Sequence, residues 1–367
     1  MISRRRLAGP LCVLALFALC HTAAAAEQGS TAPRPRVRLV ATGGTISNRT
    51  GGRLTAEELV KSIPELDQYV RAEYEQFANE SSSALSLEQW LQLARRINDL
   101  FRQDADLAGI VVTSGTDTLE ELAYFLHLTV RSDRPVVVVG SMRNPSTLGY
   151  EGAANLLEGF RVAAEPASRN KGALVVLNDE INSAREVTKT DALRLQTFQT
   201  RSYGVLGVVD RDRVVYYRDV VKRHTAKSEF DVAAITALPR VDVIVTYQDA
   251  PGDLIKAAVD AGAKGIVLAT AGAGATSGTQ GEGIQYATAH GAVVVTTTRA
   301  GSGRIAARGG PVPERFGNRE VSAEERQSFT QRVAGEDLAP VKARLLLMLA
   351  LTKTKDPAEI QRMFTEY

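Results

Sequence analysis

Three short segments of the sequence place threonine, aspartate and lysine side chains after apolar runs. They are "ATGGTIS", which contains Thr45, "TSGTDTLEE", which contains Thr116 and Asp117, and "VTKT", which contains Lys189. A threonine hydroxyl becomes an effective nucleophile only when a base accepts its proton, and a lysine amine can begin that transfer. Together these residue types supply the parts needed to attack a carbonyl carbon.

A glycine precedes each of the candidate threonines Thr45 and Thr116, and such glycine turns suit two kinds of chemistry. The turn amides that follow Gly44 and Gly115 could stabilise an oxyanion. Glycine-rich turns after strands also cradle phosphates, but "TGGT" lacks the G-x-G-x-x-G spacing and the chain contains no G-x-x-x-x-G-K-[ST] motif. A nucleotide site is therefore not predicted here.

Each candidate residue also has a purely structural interpretation. Thr45 could be a β-branched residue in a turn whose glycines supply positive φ. Asp117 and Thr118 precede two glutamates at capping-box spacing, so helix capping explains them equally well. Lys189 taken alone is typical of a solvated surface charge. Taken one at a time, these residues do not decide between the structural and the catalytic interpretation.

The elements around these segments predict an α/β fold. Continuous β-branched runs, which suit strands buried on both faces of a parallel sheet, cover residues 37–42, 109–114, 135–141 and 172–178. Helical patterns lie between them at residues 86–101, 118–130 and 152–165, and the first begins with Ser86 and Gln89 in capping-box spacing. Ligands bind outside the carboxyl ends of such strands, where the three segments lie.

The same alternation resumes after a charged segment and indicates a second, smaller α/β unit. Residues 218–239 lack a core pattern and are interpreted as a linker, beyond which apolar runs cover residues 241–247, 265–270 and 291–298. We therefore expect a larger N-terminal domain at 37–217 and a smaller C-terminal parallel-sheet domain at 240–367. A chain of 367 residues also favours two cores over one.

The first 26 residues have the pattern of a secretory signal peptide. Three arginines at positions 4–6 precede a short apolar stretch from Leu11 to Ala18, and Ala24 and Ala26 have the spacing of a cleavage site. The arginines also suit a twin-arginine signal, so the Sec and twin-arginine routes both stay open. We expect a periplasmic protein that has no membrane segment once this leader is removed.

Composition excludes several kinds of site. Both cysteines, Cys12 and Cys20, lie in the leader, so the rest of the chain has no disulfide, thiol nucleophile or cysteine metal site. The four histidines are scattered, and no metal site is predicted. Without the leader the chain has 41 basic and 42 acidic residues, a balance that gives no electrostatic footprint for nucleic acid or acidic membranes.

Taken together and in this order, the three segments resemble the signature of the bacterial-type asparaginases, the asparaginase/glutaminase family of threonine amidohydrolases. The resemblance extends over nearly the whole chain after the leader and includes "SYGVLG" at 202–207. It implies that Thr45 attacks the side-chain amide of the substrate, while Thr116, Asp117 and Lys189 relay protons and Asp117 also holds the α-ammonium group. The implied products are L-aspartate and ammonia, with L-glutamine left open as a second substrate.

The resemblance also assigns substrate-binding residues and an assembly. Ser82 matches the serine that holds the α-carboxylate, with Ser81 and Ser83 as alternatives. Asp249 stands where a neighbouring subunit supplies an asparagine, which implies a homotetramer with sites between subunits. No cofactor is required, because proton transfer and oxyanion stabilisation suffice for amide hydrolysis. The backbone positions that line the implied pocket are Gly44, Gly115 and Ser141.

Two alternatives to an asparaginase remain at this stage. The family carries a tyrosine in the loop after the nucleophile, whereas no tyrosine occurs here between Thr45 and Tyr69, so a different small amide is one alternative. The other is a non-catalytic periplasmic amino-acid binding protein, which also has two α/β lobes and a leader. The hydrolase is preferred, because a binding protein has no use for Lys189 beside two threonines.

Overall fold

A computed structural model describes residues 33–307, 322–323 and 331–367. The signal-peptide pattern at residues 1–26 lies outside this described part. Residues 34–367 cluster as one compact unit that contains two main sheets. Within the described ranges no helix combines the length and apolarity needed to span a bilayer.

The larger sheet contains the strands that precede the three candidate segments. Its strands are β1 (Arg36–Gly43), β4 (Arg71–Glu80), β5 (Leu107–Thr113), β6 (Val136–Val139), β7 (Ala173–Leu177), β8 (Glu180–Ser183), β11 (Gly207–Val209) and β12 (Val214–Tyr216). Their spatial order is β12-β11-β8-β7-β6-β5-β1-β4. The four runs predicted in this half of the chain are β1, β5, β6 and β7, and each is almost wholly buried.

The sheet is parallel from β4 through β1, β5 and β6 to β7. Beyond β7 the three remaining strands pair antiparallel, which makes the sheet mixed rather than wholly parallel. A two-residue turn joins β7 to β8, and its residues Asn178 and Asp179 both have positive φ, 53° and 64°. Such turns match the twist of an antiparallel pair, and Asn and Asp tolerate them.

Strand β4 has no counterpart among the predicted runs. Its sequence, "RAEYEQFANE", is mostly polar. This composition suits its position, because β4 is an edge strand whose side chains are half-buried or exposed. Charged side chains are a common feature of edge strands. The strand matters to the site, because its last residues pair with the end of β1 through Gly43 and Glu80.

Four helices cover this sheet: α1 (Ala56–Lys61), α2 (Leu87–Gln103), α3 (Leu119–Thr129) and α4 (Gly152–Ala164). The predicted capping box of α2 is confirmed, since the Ser86 hydroxyl accepts from the Gln89 amide and the Gln89 side chain accepts from the Ser86 amide. Helix α2 buries an apolar face that includes Trp90, Leu91 and Ile97. It packs beside α3 in the larger hydrophobic core.

The smaller sheet is parallel throughout, as predicted. Its strands in spatial order are β13 (Val241–Val245), β14 (Gly265–Thr270), β15 (Val293–Thr298) and β16 (Arg332–Ala334). Among the described residues, the helices of this half are α5 (Asp253–Asp260), α6 (Gln280–Ala289), α7 (Pro340–Leu351) and α8 (Pro357–Glu366). The expected α/β class, with a larger mostly parallel sheet and a smaller parallel one, is confirmed.

Helix α7 joins the two halves through a shared core. It contacts α3 on one side and β13, β14 and β15 on the other, and it is buried almost all round. The predicted linker also contributes to this core, because Phe230 and Val232 are buried. Because the two halves and the segment between them share one core, the domain limits at 37–217 and 240–367 stay a prediction.

Two short antiparallel pairs complete the description: β2 (Asn48–Arg49) with β3 (Gly52–Arg53), and β9 (Thr188–Lys189) with β10 (Phe198–Gln199). The first pair forms the hairpin that follows Thr45. The second pair holds the backbone of Lys189, which is opposite Phe198.

Candidate active site

The turns at the ends of β1 and β5 touch each other through two glycines. Gly44 has a φ of 91°, and a methyl group added there would lie 2.2 Å from the Gly115 amide nitrogen. A methyl group at Gly115 would in turn lie 2.9 Å from the Ser82 hydroxyl oxygen. Only glycine permits this approach, so the sequence brings Gly44, Gly115 and Ser82 together as expected.

Thr45 follows this contact and begins a 3₁₀ turn, Thr45–Ser47. Its side chain is half-buried, and its hydroxyl makes no hydrogen bond to any described residue. The backbone hydrogen bonds of the described part also leave the amides of Thr45 and Thr116 without an acceptor. The turn after β1 therefore carries a hydroxyl and an amide without a described partner, and the turn after β5 that touches it carries a second such amide.

Lys189 lies on the other side of the Gly115 turn. Its ammonium group donates to the Thr116 hydroxyl at 3.0 Å and to the Asp117 carboxylate at 2.8 Å. The Lys189 side chain is only 15% exposed, whereas that of Asp117 is 76% exposed. The pair thus places a buried amine against Thr116 and an open carboxylate at the surface of the site.

These contacts decide between the structural alternatives for two residues. Lys189 is not a solvated surface lysine. The capping-box interpretation of Asp117 and Thr118 is also wrong, because α3 begins without a side-chain hydrogen bond at its N-cap, Thr118. The Thr118 hydroxyl is instead buried with no partner among the described residues.

Two charged residues behind Lys189 were not predicted from the sequence. The Glu120 carboxylate accepts from the Thr188 hydroxyl at 3.0 Å and from the Lys189 amide at 3.1 Å. The Lys342 ammonium lies 3.6 Å from the other Glu120 oxygen and donates to the carbonyls of Arg185 and Val187. Glu120 therefore ties α3 to β9, and Lys342 ties both to α7.

Burial has the largest effect on the pKa of Lys342. It lowers this pKa to about 8, although the Glu120 carboxylate favours the charged form of the lysine. Glu120 resembled a first-turn helix residue in the sequence, and nothing near Lys342 in "APVKARLLL" marked it as part of a site. Only the packing of α7 against α3 brings the two charges together.

The remaining predicted binding residues occupy different places. Among the three candidate serines, Ser82 alone is buried, and its hydroxyl accepts from the Thr118 amide at 3.4 Å. Ser141 is buried at the end of β6, where its hydroxyl donates to the Arg143 carbonyl at 2.6 Å. It follows Gly140, where an added methyl group would lie 3.3 Å from a Thr116 side-chain carbon. Ser141 is thus next to the same cluster.

Asp249 is not part of this cluster within one chain. It follows β13 in the smaller sheet, has a φ of 57°, and its amide donates to the Ser277 hydroxyl at 2.8 Å. Its side chain is exposed. No group of acidic, histidine or cysteine side chains suited to hold a metal ion occurs among the described residues.

Comparison with known proteins matches both halves of the chain. The family described as "Asparaginase, N-terminal" matches residues 36–222, and the "Glutaminase/Asparaginase C-terminal domain" matches residues 240–364. The chain is 41% identical to L-asparaginase 2 of Bacillus subtilis, over 91% of this chain and 87% of that protein. It is 36% identical to glutaminase-asparaginase of Pseudomonas fluorescens biotype A, over 96% of this chain and 97% of that protein.

The fold has a close counterpart among solved structures. The probable cytoplasmic L-asparaginase from Campylobacter jejuni superposes with a TM-score of 0.79 at 37% identity, covering 91% of this chain and all of that one, 100%. The family matches in both halves, the similar relatives and the shared fold all indicate the same family. The chain therefore belongs to the asparaginase family.

Proposed function

We propose that this protein hydrolyses L-asparagine to L-aspartate and ammonia, with Thr45 as the nucleophile. One observation carries the proposal: the Lys189 amine bonds both Thr116 and Asp117, on a turn that touches the one carrying Thr45. The names of the relatives support asparagine as substrate. They also include glutaminase activity, so L-glutamine is a second candidate substrate.

The first step needs a path for the Thr45 proton. Lys189 in its neutral form accepts a proton through the Thr116 hydroxyl, which can donate and accept at once. Asp117 stabilises the ammonium group that results. The Thr45 oxygen then forms a bond to the amide carbon of the substrate, and the carbonyl electrons move to its oxygen.

Collapse of this tetrahedral intermediate breaks the carbon–nitrogen bond. The relay returns the proton to the leaving nitrogen, so ammonia departs and an aspartyl ester remains on Thr45. Water then attacks the ester in the same manner and releases L-aspartate. The free amides of Thr45 and Thr116 are suited to bind the oxyanion in both steps.

Recognition of the amino-acid end of the substrate is assigned to residues around the glycine contact. The exposed Asp117 carboxylate suits an α-ammonium group, and Ser82 suits the α-carboxylate. We propose that Asp249 acts in the site of a neighbouring subunit, because its contacts within the chain lie in the smaller sheet. We propose a homotetramer, as the family resemblance implies; light scattering of the purified protein tests it, and an active monomer would contradict it.

We also propose that the protein is exported to the periplasm, on the basis of the signal-peptide pattern at residues 1–26. The Campylobacter jejuni protein is named cytoplasmic, so family membership alone does not fix the compartment. Cell fractionation and N-terminal sequencing of the secreted protein test the export. A product that starts at Met1 in the cytoplasm would contradict it.

The decisive assay is ammonia release from a panel of amides by the wild-type protein and two threonine variants. We expect Thr45→Ala to be inactive and Thr288→Ala to match the wild type, because the Thr288 hydroxyl only bonds carbonyls of its own helix. The panel contains L-Asn, D-Asn, L-Gln and a peptide amide. Equal release by the wild type and Thr45→Ala would remove Thr45 from the reaction.

The same assay separates the alternative functions. Tight binding of intact L-Asn in calorimetry, with no ammonia from any amide, would establish an amino-acid binding protein instead. Preference for D-Asn or the peptide amide would keep the nucleophile and change the substrate.

A further inference from the structure

The hydroxyl of Tyr150 donates a hydrogen bond to the carbonyl of Ile46 at 2.9 Å. Ile46 is the middle residue of the Thr45–Ser47 turn and directly follows the proposed nucleophile. Tyr150 belongs to a different part of the chain, the loop between β6 and α4. The bond therefore ties the turn that carries Thr45 to this second loop.

The Tyr150 ring has little freedom to move. It is half-buried against the apolar cluster that includes Ile46, and a methyl group at Gly152 would lie 2.3 to 2.5 Å from its ring and hydroxyl atoms. The loop is also closed on itself. The Tyr150 amide donates to the Thr147 carbonyl at 3.1 Å, and the Glu151 carboxylate accepts from the Arg143 amide at 3.3 Å.

The opposite side of the same turn is held by β4. The Gly44 amide donates to the Glu80 carbonyl at 2.8 Å, and the Ser47 hydroxyl bonds the Asn79 side chain at 3.3 Å. The turn is thus held between the edge strand and Tyr150. Among the described residues, the Tyr150 hydroxyl makes the one side-chain hydrogen bond between the Thr45–Ser47 turn and the β6–α4 loop. Without this hydroxyl, the turn loses that bond.

The phenol is suited to act as a constant donor. Burial raises the pKa of Tyr150 well above its usual range, and the neighbouring Glu151 carboxylate raises it further. The hydroxyl therefore keeps its proton at neutral pH. The Ile46 carbonyl accepts this hydrogen bond, so the peptide group of Ile46 is held in one orientation.

We propose that Tyr150 is a positioning residue that fixes the direction of the Thr45 hydroxyl through the Ile46 carbonyl. The inference rests on the proposed role of Thr45. Tyr150 acts through the backbone, so it affects how often the hydroxyl faces the amide carbon and leaves the binding of the amino-acid end of the substrate unchanged. The effect appears in kcat rather than in KM.

The test is Tyr150→Phe, which removes only the hydroxyl, with Tyr216→Phe as the matched control. Tyr216 is also a buried phenol, and its hydroxyl bonds the Ser168 hydroxyl at 2.6 Å, away from the site. We expect Tyr150→Phe to lower kcat about threefold to tenfold. KM stays within about twofold, and the Tyr216 variant keeps the wild-type kcat. A wild-type kcat in Tyr150→Phe, or an equal loss in Tyr216→Phe, would overturn the inference.

A second variant tests the same bond without removing the phenol. Gly152→Ala displaces the Tyr150 ring, so it lowers kcat by a similar factor, and the double variant with Tyr150→Phe shows no further loss. A wild-type kcat in Gly152→Ala, despite the displaced phenol, would also overturn the inference. Thr45→Ala keeps the outcomes distinct: if it is inactive while Tyr150→Phe has the wild-type kcat, only the positioning role fails.

Discussion

Three threonines at or next to strand ends of the smaller sheet donate their hydroxyls to neighbouring groups, whereas the hydroxyl of Thr45, which follows β1 of the larger sheet, has no partner among the described residues. In the smaller sheet the Thr270 hydroxyl donates to the Thr297 carbonyl at 2.6 Å, and the Thr297 hydroxyl donates to the Leu268 carbonyl at 2.8 Å. Thr246 bonds the Gln280 side chain at 2.9 Å. After the strands of the larger sheet, the Thr45 hydroxyl bonds no described residue, and the Thr116 hydroxyl accepts from Lys189.

The difference shows what distinguishes a reactive threonine from a structural one. A hydroxyl that already donates to a backbone carbonyl stabilises the end of its strand and has no base to accept its proton. The hydroxyls of Thr45 and Thr116 lack such carbonyl partners, and the largely buried Lys189 donates to Thr116. The proposed chemistry therefore depends on the lysine and on free hydroxyls rather than on threonine at a strand end.

Replacing the lysine gives the largest expected effect. Lys189→Met removes the proton acceptor, and we expect kcat for L-asparagine to fall about a thousandfold. Lys171→Met is a close control, because the Lys171 side chain is 12% exposed and pairs with Asp219 at 3.1 Å. We expect the control to keep its kcat and to lose roughly 0 to 1 kcal/mol of stability. Similar kcat values for the two variants would show that Lys189 is only structural.

The second prediction concerns the glycine turns that end the strands of the two sheets. Gly44→Ala forces a side chain against Gly115 at positive φ, so we expect a loss of about 2 to 4 kcal/mol in the free energy of unfolding, with loss of activity. Gly272, in the turn after β14, faces open space. Gly272→Ala therefore changes stability by no more than about 0.5 kcal/mol. Denaturant unfolding of both variants measures the contrast, and equal stabilities would refute the close approach.

The third prediction tests the support behind Lys189. Lys342→Met removes the charge that ties α7 to Glu120, so we expect kcat to fall about tenfold. Lys353→Met is the control, because the exposed Lys353 only bonds the Glu229 carbonyl. An unchanged kcat in Lys342→Met would show that α7 does not support the site.

Lys342 also makes stability depend on pH. Because burial lowers its pKa to about 8 in the folded protein, the folded state binds fewer protons than the unfolded chain. The contribution of Lys342 to stability is therefore complete above its ordinary pKa of about 10.4 and is lost as pH falls to about 8. Lys342→Met should lack this rise in stability between the two values.

The smallest expected effect concerns a buried histidine behind the larger sheet. The His127 ring accepts from the Ala173 amide at 3.2 Å, and burial, helped by His224, holds the pKa of His127 well below its usual range. Its contribution to stability is present above pH about 6.5 and is lost as pH falls further, by at most about 1.4 kcal/mol per pH unit. We expect His127→Gln to flatten this slope in acid unfolding. An unchanged slope in His127→Gln would exclude His127 as its cause.

The buried parts of the fold were predictable because their sequences carry the pattern. Continuous apolar runs gave β1, β5, β6 and β7, and the Ser86 capping box gave the start of α2. Strand β4 was missed because an edge strand with polar side chains carries no apolar run. The short strands β8, β11 and β12 were missed because, unlike the similarly short β6, none of them lies within a long continuous apolar run.

The candidate site was predictable only where its residues share a local motif. Thr45 and Thr116 each follow a parallel strand of the larger sheet, so the topology places them at the same edge. Lys189 lies in β9, outside that sheet, and its assignment comes from the family resemblance of "VTKT". Glu120 resembled a residue of a helix start, and the contact of Lys342 with it depends on packing between distant parts of the chain. The contact between Tyr150 and Ile46 has the same origin, since neither sequence neighbourhood refers to the other.

Mass spectrometry of protein quenched during turnover of L-asparagine tests the role of Thr45 most directly. After proteolysis we expect the peptide that contains Thr45 to carry one added aspartyl group, and the peptides with Thr116 and Thr270 to be unmodified. An aspartyl group on another residue, or wild-type ammonia release by Thr45→Ala, would contradict the assignment of Thr45 as the nucleophile.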